Sequence, residues 1–193
     1  MSHTSYGCRM TLDRNDVLRE AAALLTRRAT ASMDDIAKAA GISRATLHRH
    51  FAGRDALIRA LEELGIERFE AALDTARIEE GDAVEALRRL VAALQPVSGF
   101  LAFLYGENQL FEGEEVNAGW ARLDLRLTAL FRRGQEQGNF RIDLTPVWLT
   151  EALYGLMASA AWGVYDGRLA AKDVEYMVLE LLLGGALRGS GDA

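Results

Sequence analysis

Ser32-Met-Asp-Asp-Ile-Ala-Lys-Ala-Ala-Gly-Ile-Ser-Arg-Ala-Thr-Leu-His-Arg-His-Phe-Ala-Gly-Arg54 reads as two short helices joined by a tight turn. Ser32 is placed to cap the first helix, with Asp35 three residues on as its capping-box partner. Ile36, Ala37 and Ala40 share one face of that helix. Gly41 stands where the turn needs a positive φ or a close backbone approach. Ser43 then caps a second helix, whose apolar anchor is Leu47 and whose Arg44, Thr46, His48 and Arg49 are hydrogen-bond donors able to face outward. This is the layout of a helix-turn-helix, whose second helix lies in the DNA major groove with its N-terminal residues at base edges. An ordinary corner in a three-helix core shares the small-residue and glycine pattern. The outward donors on the second helix favour DNA binding.

The segments on either side read as further helices. Asp13 caps a helix running to about Arg28, with Val17, Leu18, Ala21, Leu24 and Leu25 as its apolar stripe. A fourth helix starts near Gly53 or Arg54 and runs to about Ala76, joining the head to the rest of the chain. Asp82 caps a fifth helix that ends at Pro96, and a sixth carries Phe100, Phe103, Leu110 and Phe111. After an acidic loop at 112–115, a long helix is expected from about Val116 to Gln137, striped by Trp120, Leu123, Leu127, Leu130 and Phe131. Thr145-Pro146 opens an eighth helix to about Tyr165, and a ninth covers about 172–188. On helix eight Ala152, Gly155, Ser159 and Gly163 make a ridge of small residues; helix nine offers Met177, Leu181 and Leu182. A helix pair this apolar buries itself either within the chain or against a second copy. The fold class is all-α, with about nine helices: a three-helix head and a larger helical body.

Composition narrows the function. The 193 residues are 50% hydrophobic, with two prolines and one cysteine, which excludes a disulfide framework or a cysteine metal cluster. The net charge of -6 is divided unevenly. Residues 1–60 hold ten Lys/Arg and six Asp/Glu, giving +4, and residues 61–193 hold twelve and twenty-two, giving -10. All three histidines lie in the basic part. Such asymmetry marks a nucleic-acid module joined to something else. His48 and His50 are two apart and point to different sides of a helix, so they do not form a chelating i, i+4 pair. No hydrolase, zinc-protease or phosphate-loop motif is present. An enzyme is not expected, nor a catalytic residue, metal or cofactor. With no apolar leader and no uninterrupted apolar run of membrane-spanning length, a cytoplasmic, nucleoid-associated protein is expected.

From Met33 to Phe51 the sequence resembles the TetR family of bacterial transcriptional regulators. The usual form there is Thr-Val-x-x-Ile-Ala-x-x-Ala-Gly-Val-Ser-x-Gly-Thr-Leu-Tyr-x-Tyr-Phe. This chain departs from it at His48 and His50, which replace tyrosines, at Arg54, which replaces lysine, and at Ala52-Gly53, which replaces Pro-Ser. The resemblance implies a DNA-binding domain at 1–53 and an effector-binding and dimerisation domain at 54–193. It implies double-stranded operator DNA as partner, met by Ser32, Met33, Ser43, Arg44, Ala45, Thr46, His48, Arg49, His50 and Arg54. A small-molecule effector, apolar or aromatic, is implied among helices four to eight, near Phe103, Trp120, Leu123 and Leu127. A homodimer is implied through helices eight and nine, at Ala152, Gly155, Ser159, Gly163, Met177, Leu181 and Leu182. The function then expected is a ligand-responsive transcriptional regulator, a repressor released from a pseudo-palindromic operator. The rival is a ligand-independent, DNA-associated protein-interaction or architectural module.

Overall fold

The structure is a computed structural model that describes residues 13–106 and 114–187. Leu110, Phe111, the first half of the acidic loop and Arg188, the last residue assigned to helix nine, lie outside them. The described residues form nine α-helices: α1 Arg14–Arg27, α2 Met33–Ala39, α3 Arg44–His50, α4 Arg54–Ala76, α5 Ala83–Leu94, α6 Ser98–Gly106, α7 Glu114–Glu136, α8 Pro146–Tyr165 and α9 Val174–Ala186. Short 3-10 turns, Gln95–Val97 and Ala171–Asp173, lead into α6 and α9. Helix α7 takes in Glu114 and Glu115, so it starts two residues before the expected point.

The helix starts follow from side-chain chemistry. Asp13 and Ser32 each accept the N3 backbone N–H while the N3 carboxylate accepts from the cap's own N–H, giving two complete capping boxes. Asp82 accepts from Val84 and Glu85 N–H, and the Thr145 hydroxyl accepts from Trp148 N–H at 3.2 Å ahead of Pro146.

Two apolar cores result. The first joins Leu18 and Leu25 of α1, Ile36 of α2 and Leu47 of α3 to Leu57 and Leu61 of α4, and reaches Phe100 and Phe103 of α6. The second joins Phe69 and Leu73 of α4 to α5, α7, α8 and α9. Trp120 packs against both. Helix α4 is therefore shared, its first half in the head and its second half in the body. Salt bridges lock the second half to α7: Arg122 to Glu70 at 2.9 Å, and Arg126 to Asp74 at 2.8 Å and to Glu79 at 2.7 Å. The Arg126 guanidinium, hydrogen-bonded to Glu79, holds that carboxyl below its ordinary range. Among the described residues, no helix is long and apolar enough to cross a membrane.

The end of α7 shows how closely the body is packed. The backbone carbonyl of Gly134 accepts from Asn139 N–H at 2.8 Å and Phe140 N–H at 3.1 Å, folding the chain back so that the Phe140 ring lies over the glycine. A Cβ at 134 would stand 2.2 Å from that ring and 3.0 Å from Ala83 Cβ. Helix propensity alone favours alanine over glycine by about 1 kcal/mol. Overpacking a filled core costs about 1–3 kcal/mol, and it should win here. Gly134→Ala is expected to lower the melting temperature. A variant as stable as the parent would mean that Phe140 has room to move aside.

Candidate nucleic-acid interface and body surfaces

Helices α2 and α3 are set by three local choices. Ser32 ends the loop before α2. Gly41 takes φ +64°, letting Ile42 N–H reach back to the Ala37 carbonyl at 2.9 Å. Ser43 caps α3, accepting from Thr46 N–H at 3.0 Å. Leu47 is wholly buried, which fixes the rotation of α3 about its axis. That leaves Ser43, Arg44, Ala45, His48 and Arg49 exposed on the outer face. Thr46 and His50 are half-buried at its edges, the Thr46 hydroxyl 2.9 Å from that of Ser43 and the His50 ring 6.2 Å from Phe51. A small residue, Ala45, between long donors lets the helix axis approach a surface closely. The shape and donors suit base edges and phosphates.

Three of the expected contact residues do other work. Ser32 is exposed, but its hydroxyl donates to Asp35 at 2.7 Å as part of the cap. Hydrogen bonds from the Ser32 side chain and backbone, aided by Arg28 at 2.6 Å, hold the Asp35 carboxyl at about 2. Met33 is half-buried against the head core. Arg54 is engaged within the head. Its guanidinium donates to the Ala31 carbonyl at 2.7 Å and the Ala29 carbonyl at 2.6 Å. It braces the α1–α2 loop from the start of α4, where the sequence suggested a contact to phosphate. Sequence spacing gave no sign of this, because the partners lie 23 and 25 residues away. Arg44 is held as well: its Nε stands 3.1 Å from Asp34 on α2. Both side chains are exposed, so the pair is weak and open to exchange for another anion.

In the body, Leu123 and Leu127 have no exposure and belong to the core between α4, α5 and α8. Trp120 is half-buried where the two cores meet, and Phe103 belongs to the head core. The Tyr154 hydroxyl donates to Asp124 at 2.9 Å, and the Tyr154 ring meets Trp120 edge-on at 6.4 Å. Burial and the Asp124 carboxylate push the Tyr154 hydroxyl far up, so it stays a donor. Among the described residues, no group of three or more His, Cys, Asp or Glu side chains is placed to hold a metal.

Helices α8 and α9 present an uncovered apolar face. Trp148, Tyr176 and Leu181 are 60–67% exposed, beside exposed Met177 and Ser159 and half-buried Ala152 and Gly155. Two residues leave the expected set. Gly163 packs within the chain, where a Cβ would meet Leu169 at 2.6 Å, and Leu182 is buried in the body core. Helix α8 turns Gly163 away from the ridge toward its own loop. Sequence reasoning passed over Trp148 and Tyr176 as part of this face. Trp148 was legible there, four residues before Ala152 and hence on the same ridge.

The chain's likeness to known proteins covers head and body alike. A family model described as bacterial regulatory proteins, tetR family, matches residues 17–61. The HTH-type transcriptional regulator NfxB of Pseudomonas aeruginosa is 32% identical over 182 residues, covering 92% of this chain and 97% of that protein. The HTH-type transcriptional repressor LfrR of Mycolicibacterium smegmatis is 28% identical, with 89% of each chain covered. Its crystal structure in complex with proflavine superposes with a TM-score of 0.71 at 26% identity, covering 89% of this chain and 95% of that one. The TetR family transcriptional regulator PfmR from Thermus thermophilus gives a TM-score of 0.69 at 29% identity, over 90% of this chain and 98% of that one.

Replacing Arg54 tests its role as a brace. Arg54→Ala leaves two loop carbonyls without their donor and is expected to cost about 1–3 kcal/mol of stability. Thermal denaturation reads this directly. An unchanged melting temperature together with weakened DNA binding at every sequence would restore the phosphate role.

Proposed function

Because this chain belongs to the TetR family of bacterial regulatory proteins, we propose that it is a ligand-responsive transcriptional repressor, active as a homodimer on a pseudo-palindromic operator. The observation that carries this reading is the outer face of α3. It is capped by Ser43, anchored by Leu47 and armed with Arg44, Ala45, His48 and Arg49. Arg44, freed from Asp34, reads a base edge, with Thr46 beside it. Ser43, His48, Arg49 and His50 meet the groove wall and the backbone. Two such heads read half-sites about one helical turn, roughly 34 Å, apart.

The uncovered face of α8 and α9 is where the second copy docks. Small Ala152, Gly155 and Ser159 let the helices approach, and Trp148, Tyr176, Met177 and Leu181 supply the apolar area of a two-fold bundle. Residues 1–53 then serve as the DNA-binding domain and 54–193 as the effector-binding and dimerisation domain, with α4 crossing between them. The effector is small and apolar or aromatic, in keeping with the proflavine bound by the related LfrR. It sits near Trp120, where the two cores meet, with Phe103 on the head side and Leu123 and Leu127, buried without it, on the body side. Its binding tilts α4 and changes the separation of the two heads. The protein works in the cytoplasm, on the nucleoid, and does no chemistry on its ligand.

Selection of bound fragments from genomic DNA tests this function. A shared two-fold motif among the fragments is expected, and binding without any common sequence would sink the repressor reading. Two substitutions then separate reading from assembly. Arg44→Ala is expected to cost about 1–3 kcal/mol of operator affinity and relax preference at one position per half-site, with the dimer intact. Gly155→Leu is expected to yield a monomer at low concentration that fails on operator, through about 1–3 kcal/mol of overpacking felt in both copies. Sedimentation beside DNA titration decides. A Gly155→Leu protein that stays dimeric with full affinity would place the dimer contact elsewhere.

A further inference from the structure

A groove of about 480 Å³ runs between α1 of the head and α6, α8 and the start of α9 in the body, apart from the residues assigned to the effector above. Its size falls within the roughly 300–1,000 Å³ of ordinary small-molecule sites. The lining is mainly apolar, from Ala22, Pro96, Phe100, Ala161, Val164 and Val174. One charged group enters it from α4. The Arg68 guanidinium stands 5.7 Å from the centre of the Phe100 ring, and its Nε is buried without a hydrogen bond. Among the described residues, Arg68 has no hydrogen bond and no ion pair. A guanidinium N–H out of water and without an acceptor is costly, and native structures rarely leave one so.

The other polar groups at the groove are differently placed. Arg19 is already engaged by Asp16 at 2.6 Å, and Glu20 is exposed. Tyr165 lies against the backbone of Gly99, where a Cβ would come within 2.7 Å of its hydroxyl oxygen, and carries Arg27 5.3 Å from its ring centre. The cation left for a ligand is thus the half-buried guanidinium of Arg68, next to a flat aromatic wall. A carboxylate answers it, because its two oxygens match the guanidinium fork. The Glu20 carboxylate disfavours a second negative charge.

We propose that the groove between α1, α4, α6 and α8 is a second small-molecule site, which takes a monocarboxylate with a flat apolar body held by Arg68. The ligand's carboxylate accepts from the Arg68 guanidinium while its apolar part lies along Phe100 and Val164. Such a ligand touches head and body at once.

Titration calorimetry of the full chain with 2-naphthoate tests the site, with no DNA present. Wild type is expected to bind, and 2-naphthamide, the neutral isostere, to bind at least about tenfold more weakly. Arg68→Gln is expected to lose about tenfold or more in 2-naphthoate affinity and Arg68→Lys less, because lysine keeps the charge without the fork. Operator titrations without probe, on the same variants, should match wild type, and a cooperative melting transition should show that each variant is folded. That keeps the result separate from the regulator reading, which stands or falls on operator binding alone. Equal binding of acid and amide would overturn the proposal. So would unchanged affinity in a folded Arg68→Gln protein, or no binding of either 2-naphthoate or octanoate to wild type at about 1 mM.

Discussion

Helix α4 has to satisfy two hydrophobic cores at once, and the arrangement of head and body depends on that constraint. Leu57 and Leu61 are wholly buried among α1, α2 and α3, while Leu73 is wholly buried among the body helices. The helix between them has no proline, and its one glycine, Gly65, sits in regular helix. A tilt of one half is therefore carried to the other. The body holds its half through side chains of α7, with Arg122 and Arg126 gripping three carboxylates on and just after α4. The head holds its half through Arg54, whose two bonds tie the start of α4 to the α1–α2 loop. A network of exposed ion pairs contributes little stability pair by pair. Its value here is geometric, because it fixes where the lever is gripped.

Electrostatics divides the molecule along the same line. The head is basic and the body strongly acidic. A polyanion is drawn to one end and repelled from the other, which orients an encounter before any contact forms. Within the head four acidic residues are spent locally. Asp13, Asp16 and Asp35 cap helices, and Asp34 pairs with Arg44. The Asp34–Arg44 pair links the start of α3 to α2 across the α2–α3 corner.

The fold was legible in the sequence wherever local chemistry decides it. Ser32 with Asp35, Gly41, Ser43, Asp82 and Thr145-Pro146 each mark a boundary through a bond to a residue within a few positions, and the structure keeps all of them. The long α4 was likewise visible from the recurrence of Leu57, Leu61, Phe69 and Leu73. What the sequence hid is long-range or directional. Arg54 looked like a surface cation because nothing near it in sequence reveals two bare carbonyls in space. Gly163 matched the ridge by spacing, but the loop after α8 brings Leu169 onto it. Leu182 and Leu181 are neighbours of the same chemistry, and only the packing of α9 shows that one is inside and the other outside. Arg68 drew no attention in the sequence, since spacing does not show that it stands over Phe100, 32 positions away, at a groove.

The central claim is that DNA is met by α2 and α3 and that α4 carries the consequence into the body. Amide hydrogen exchange of the full chain, with and without a selected operator duplex, tests it most directly. Protection on DNA binding should concentrate at residues 43–50, extend through the cap at 32–35, and reach 54–76 more weakly, with α8 and α9 unchanged because the dimer is already formed. Protection centred on α8 and α9, with residues 43–50 exchanging as in the free protein, would contradict the account.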